Sequence, residues 1–531
     1  MSETAVRKQP HFQQVTVMAL MTAFQLICAA CVLCRQNELS LKMVYIFFGY
    51  IAAEWIYMLI GTLVTGNDYF ELEAIAFFLS GIGLTVCASF SEDFALKQII
   101  AIGLGLAVYL IMLLLIKDVH FASILRYPAA VGAVGLLAVN LVMAKSINGT
   151  LNWIDLGFFS VQPSEFVKVA FILVGAVSLE KLLSSVSLTK YIIFSLGCVG
   201  ALFLMKDFGT ALIFFFTFIL IAFMRSGDIR TIALICTVAL MGAALIIYFK
   251  PYVANRFAAY RHVWDFMDTT GYQQTRVLIY SASGGLFGLG IGEGKLRDVY
   301  AASTDLVFGL ICEEMGLLIG IAVLLSFAAI AFFAIRSAKT AASTFYAIAA
   351  VSAAGMILFQ LSLNVFGITD LLPLTGVTLP FVSRGGSSMI CSWGLLAFIK
   401  AADIRTYPNL SKTILPDHPL YPPDIKIAKR STRPTRRQVS VPRVVGEPIN
   451  QRSASQQTAR KTAQPKAAAK PTAKDVPISR TTAKRQPTRA TGTTQRAPST
   501  ARKSTGTARR TTTAKDVPIS RKSASNGRTK R

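Results

Sequence analysis

Several residues stand where a long apolar chain has no ordinary use for them. Asp305 opens such a run as Thr304-Asp305-Leu306-Val307-Phe308, and Glu313-Glu314 follow inside it. A carboxylate at the wet end of the run is placed to take a proton from a hydroxyl, whereas glutamates roughly 12 Å further along a helix must be paired or neutral. The plain alternative for Asp305 is a helix N-cap. In Gln162-Pro163-Ser164-Glu165-Phe166-Val167-Lys168, Pro163 suits a first helical turn and Glu165 and Lys168 share one face at i, i+3. They form either a simple ion pair at a capped helix start or part of a site.

Other groups have the same double reading. Trp153, in Asn152-Trp153-Ile154-Asp155-Leu156-Gly157, suits an interfacial anchor. Lys206-Asp207-Phe208-Gly209-Thr210 interrupts two apolar stretches, as a tight turn or as an acid in a shared polar pocket. Arg384, early in the apolar run 379–402, wants a carboxylate or a phosphate. The glycine-rich run Gly284–Gly294 has a phosphate-cradle look, but no strand precedes it, which disfavours a nucleotide fold. Residues 253–266 mix Arg256, Phe257, Tyr260, Arg261 and Trp264 and suit an amphipathic helix in the headgroup region.

The elements that must hold these groups are membrane spans. Of the 531 residues, 53% are apolar and 15% charged, which excludes a water-soluble enzyme and a secreted disulfide scaffold. At about 20 residues per span, twelve runs qualify: 14–34, 43–65, 71–90, 97–116, 127–144, 163–180, 190–205, 208–224, 229–249, 304–333, 343–366 and 379–402. The first has no cleavage site after it and reads as an uncleaved helix. Basic residues in the short loops place both termini in the cytoplasm and loops 145–162, 250–303 and 367–378 outside. The polar groups above then gather at the outer face. The eight cysteines lie in or beside apolar segments, so no structural disulfide is expected, and the four histidines have no metal-ligand spacing.

The net charge of +26 belongs to one end. Residues 405–531 hold 30 of the 54 basic and 5 of the 28 acidic residues, leaving 24 against 23 in the rest. This Thr/Ala/Ser/Pro/Lys/Arg-rich segment, with TAKDVPISR at 472–480 and again at 513–521, is expected to be disordered. It lacks the aromatics that stack on bases, so nucleic acid is disfavoured; an anionic membrane surface or a cytoplasmic partner fits better.

Together the motifs resemble the SEDS proteins, the RodA/FtsW/SpoVE-type membrane enzymes. WIDLG…QPSEFVK, D-x-GTA, the glycine-rich loop, TDLVF…EEMG and LPLTG…LPF-x-S-x-GGSS occur in order between about 71 and 402. The resemblance implies an all-α polytopic protein of about twelve spans: a two-helix N-terminal addition (1–70), a ten-helix catalytic core (71–404) and the tail (405–531). It implies a peptidoglycan glycosyltransferase polymerising lipid II in the bacterial cytoplasmic membrane beside a class B penicillin-binding protein. The acceptor hydroxyl attacks the donor's anomeric carbon and undecaprenyl pyrophosphate leaves.

The family's catalytic aspartate matches Asp305, its activity-linked residues match Trp153, Glu165 and Lys168, and Asp207 matches another motif acid. Arg384 and Ser387 complete the expected substrate-binding set, with Lys168 and Arg384 facing pyrophosphate or bracing carboxylates. No cofactor is required by these motifs, and a divalent cation, Mg2+ or Mn2+, is left open. Three departures lie around the phosphate-facing positions: Asn152 replaces an arginine, Met205-Lys206 a glutamine-proline pair, and Arg384 a tyrosine. A lipid-linked precursor flippase and a non-catalytic scaffold are the competing functions. Charges concentrated near one face favour the enzyme over a flippase.

Overall fold

A computed structural model gives the fold. It describes residues 11–35, 40–65, 69–143, 145–147, 150–155, 160–180, 185–227 and 260–407, with short helical pieces between 229 and 241. These belong to the first of two units into which the chain divides, Met1–Lys429. The tail beyond Tyr407, its repeat, and most of the expected span 229–249 lie outside the described residues.

The chain begins with α1 (His11–Cys34), α2 (Leu41–Thr65), α3 (Glu71–Phe90), α4 (Glu92–Leu115) and α5 (Val119–Met143). Three short strands follow, β1 (Lys145–Ile147), β2 (Thr150–Asp155) and β3 (Ser160–Val161), then α6 (Pro163–Glu180), α7 (Ser185–Leu204) and α8 (Phe208–Ser226). After a 3-10 turn at Val263–Phe266 come α9 (Tyr272–Ser283), a second 3-10 turn (Leu296–Asp298), α10 (Val307–Glu314), α11 (Leu317–Lys339), α12 (Thr344–Ile368) and α13 (Gly386–Ala402). Among the described residues, eight helices (α1–α5, α8, α11 and α12) are long and apolar enough to cross a membrane, and α7 and α13 hold shorter apolar stretches. α6 carries three charges, Glu165, Lys168 and Glu180, and is more polar than a simple span.

A helix apolar all round must be buried on all sides. That is the situation of α13, where every residue from Ser387 to Ala402 is buried, and of α3. Trp393 of α13 is wedged edge-on between Phe77 (4.9 Å), Tyr109 (5.8 Å) and Phe381 (6.0 Å). By contrast α5 and α11 turn Val131, Val142, Leu325 and Phe332 outward, as lipid-facing helices do. All eight cysteines are free.

Four sequence expectations change. The run 304–333 is two helices, broken at Gly316, whose φ of +87° suits glycine. The run 379–402 becomes helical only at Gly386, so Arg384 sits in a packed loop and not in a span. The segment 145–162, expected as a loop, contains an antiparallel sheet in the order β1-β2-β3. The amphipathic helix expected at 253–266 is a 3-10 turn in its described portion.

Candidate active site

The loop after α7 sets up the first carboxylate. Lys206 adopts φ +61°, and Asp207 caps α8 by accepting from the Thr210 amide at 3.2 Å. The tight-turn reading is therefore correct, and Asp207 does more than turn the chain. Its Oδ2 also accepts from Asn152 Nδ2 (3.3 Å) and Gln162 Nε2 (3.2 Å). The Gln162 amide in turn donates to Ser387 Oγ at 3.3 Å. Thus Asp207, Asn152, Gln162 and Ser387, from four separate stretches of sequence, form one connected polar chain.

Glu165 and Lys168 lie one turn inside α6 and are both buried. Lys168 donates to Glu165 Oε1 at 2.7 Å and to Gln360 Oε1 at 2.8 Å. Gln360 passes the connection to Thr378, whose hydroxyl meets Ser388 at 2.8 Å. With two partners and 1% exposure, Lys168 braces a carboxylate and has no open side to turn toward phosphate.

Asp305 occupies the loop before α10, half-buried. The N-cap of α10 is Leu306 and has no side-chain cap bond, so the capping role considered for Asp305 is not what this structure shows. Its segment is pinned from two sides. Asn364 Nδ2 donates to the Asp305 carbonyl (2.8 Å) and to Val377 O (2.7 Å). The Ser383 hydroxyl donates to Thr304 O (2.6 Å), and the Arg384 amide to Ser303 O (2.8 Å). The carboxylate faces Gly376, where φ is +69° and a Cβ would stand 3.3 Å from Oδ2. Burial pushes the Asp305 carboxyl up to about 6; the Thr304 hydroxyl opposes this and the nearby Asp207 charge adds to it.

The Arg384 guanidinium lies 3.9 Å from the centre of the Phe94 ring. Burial lowers its pKa, and the charges that favour it come from Cys87 and Tyr300, not from a carboxylate. Its backbone is tied to the Asp305 segment while its charge has no acidic partner among the described residues. Trp153, half-buried on β2, follows Asn152, and strand alternation sends the two side chains to opposite faces. Asn152 is the one that reaches Asp207.

The glycine-rich loop binds carboxylates. Lys295 N (2.7 Å) and Leu296 N (2.9 Å) donate to Glu313, and Gly292 N (2.8 Å) donates to Glu314. Both buried glutamates thereby gain partners, although Glu314 Oε1 has none among the described residues, and burial pushes that carboxyl up to about 7. No group of three His, Cys, Asp or Glu able to hold a metal occurs among the described residues. Gln360, Asn364 and Thr378 were not singled out from sequence. The signal for the first two was an amide pair at i, i+4 in an otherwise apolar helix.

The sequence profile of the family described as "Cell cycle protein" (FtsW/RodA/SpoVE) matches residues 73–407. Stage V sporulation protein E of Bacillus subtilis is 31% identical, over 56% of this chain and 83% of that one. The probable peptidoglycan glycosyltransferase FtsW of Buchnera aphidicola is 32% identical, over 51% of this chain and 70% of that one. A solved chain from a peptidoglycan synthase complex that coordinates polymerization and crosslinking superposes with a TM-score of 0.53 at 25% identity, covering 63% of this chain and 97% of that one.

Proposed function

This chain belongs to the FtsW/RodA/SpoVE family, and we propose that its Asp305 cleft polymerises lipid II into glycan strands. The activity is that of a membrane-embedded peptidoglycan glycosyltransferase. The observation that carries the assignment of roles is the contrast between Asp305 and the charges around it. Glu165, Lys168 and Asp207 have their hydrogen-bonding capacity committed to protein partners, while the half-buried Asp305 carboxylate has no cationic partner among the described residues and faces a glycine.

In this reading the acceptor's GlcNAc 4-hydroxyl meets Asp305, whose raised pKa makes it a better base than an exposed aspartate while leaving it mostly ionised at neutral pH. The proton passes to the carboxylate as the hydroxyl oxygen bonds to the donor's anomeric carbon. The bond from that carbon to the lipid pyrophosphate breaks, and undecaprenyl pyrophosphate departs with the electron pair. Arg384, held beside the Asp305 segment without an acidic partner among the described residues, offers the departing phosphate a cation. Asp207, Gln162 and Ser387 set one wall, and Glu165 with Lys168 another. A divalent cation, Mg2+ or Mn2+, would accompany the pyrophosphate and neutralise part of its charge.

The cleft works on the outer side of the cytoplasmic membrane with both termini in the cytoplasm. A class B penicillin-binding protein crosslinks the strands, a partnership supported by the synthase complex that the chain resembles. Residues 1–70 are an addition to the core 71–404, and the basic tail 405–531 engages the anionic inner leaflet or a cytoplasmic partner. The test is polymerisation of purified lipid II, with the transpeptidase present, read as glycan ladders on a gel. Ladders that vanish in Asp305→Asn, with folding unchanged, support the reading; equal ladders remove Asp305 as base. Transbilayer movement of lipid II without polymer would favour the flippase.

A further inference from the structure

The N-terminal addition forms a cavity of about 540 Å³ with the core, at the end of the molecule away from Asp305. Ile56, Ile60 and Val64 of α2 line one side at helical spacing, and Leu106, Leu110 and Leu113 of α4 the other. Phe70 packs close because Gly61 has no side chain; a Cβ there would stand 2.6 Å from its ring. From Ile56 to Val64 the groove runs about 12 Å along the helix, close to the roughly 15 Å depth of one hydrocarbon leaflet.

At the head of this groove the chemistry changes to charge that is already satisfied. Glu73 accepts from Tyr57 (3.2 Å), Tyr109 (2.7 Å) and Lys400 (2.9 Å), and Arg405 pairs with Asp403 and Glu71. The two cations and three acids leave a small net negative charge, so nothing in this cluster selects an anionic headgroup.

We propose that this groove is a binding site for one acyl chain of a zwitterionic glycerophospholipid, drawn from the leaflet on the side of Lys400 and Arg405. The walls stand between membrane helices, where the only abundant apolar occupant of this length is a lipid tail. Arg405 and Thr406, at the charged end of the groove, mark the level at which the ester and phosphate region of that lipid would lie. The site is separate from the glycosyl-transfer cleft and stands whether or not that reaction is assigned correctly.

The full chain, reconstituted in phosphatidylcholine vesicles containing phosphatidylcholine with a photoactivatable acyl chain, is irradiated and the modified residues are mapped by mass spectrometry. Modification is expected to concentrate on the facing stripes of α2 and α4, above the outward faces of α5 and α11. Leu110→Trp and, independently, Ile60→Trp should fill the groove. Either ring takes the place of chain–wall contacts, and labelling of the two stripes should fall to the level of the outward helix faces. Leu325→Trp on the outward face of α11 should change nothing. Even labelling over all lipid-facing helices of the unaltered protein, or labelling unchanged in both groove variants with their melting preserved, would overturn the site. Strong preference for an otherwise identical phosphatidylglycerol probe would overturn the headgroup assignment.

Discussion

Glu73 and Asp305 are both carboxylates enclosed by an apolar bundle, and their surroundings are opposite. Glu73 receives two tyrosine hydroxyls and an ammonium, and its segment joins the helices that meet around it. Asp305 receives no cation among the described residues, is half-buried, and has a second carboxylate near enough to raise its pKa. A buried acid whose lone pairs are filled by protein serves packing, because any approaching group must first break those bonds. An acid held in place through its backbone, beside a glycine and with no cation on it among the described residues, retains the capacity to accept a proton from outside. The difference separates structural from chemical charge in a chain that has both.

Substitutions can break or sharpen that contrast. The largest effect is expected at Asp305: Asp305→Asn should lower polymerisation by about 10²–10⁴-fold, the span of general-base catalysis, with the melting temperature little changed. Lys168→Met and Lys400→Met should each cost on the order of 3–5 kcal/mol of stability by stranding a buried carboxylate, Glu165 or Glu73. The two should then part company in polymerisation per folded molecule, which Lys400→Met leaves intact and Lys168→Met lowers. Equal losses of specific activity would erase the distinction between the two regions.

The pH profile is a subtler probe. Because burial raises the Asp305 carboxyl to about 6, kcat/KM should climb as pH rises through that value and level off above it, where the base is ionised. Asp207→Asn removes a like charge and should move the midpoint downward, toward the ordinary carboxylate range. A midpoint that moves upward would refute the coupling. The smallest effect is expected at the exposed Arg35–Glu293 pair (3.0 Å), where Arg35→Ala should change stability by no more than about 1 kcal/mol in a thermal melt.

Much of this arrangement was legible before the fold was known. α1 and α3 begin or end where long uncharged runs do, because only a helix satisfies its own backbone inside a bilayer. The Glu165–Lys168 pair followed from spacing alone. Gly316 hid its role, since hydropathy runs unbroken from α10 into α11 while the backbone does not. The loop before α13 hid itself for the same reason: residues 379–383 are as buried and apolar as a helix, yet their hydrogen bonds lead to neighbouring segments.

The amino-acid sequence determined that this is a polytopic membrane protein of a particular family, since hydropathy and ordered motifs are properties of neighbouring residues along the chain. It also determined which residue types were out of place. Only the tertiary structure decided the rest of their allegiance: that Lys168 is also held by Gln360, that the glycine-rich loop serves Glu313 and Glu314, and that Asp305 has no cationic partner among the described residues. The reason is physical. A carboxylate's role depends on which donors lie within about 3 Å of its oxygens, and those donors come from segments tens to hundreds of residues away in the chain.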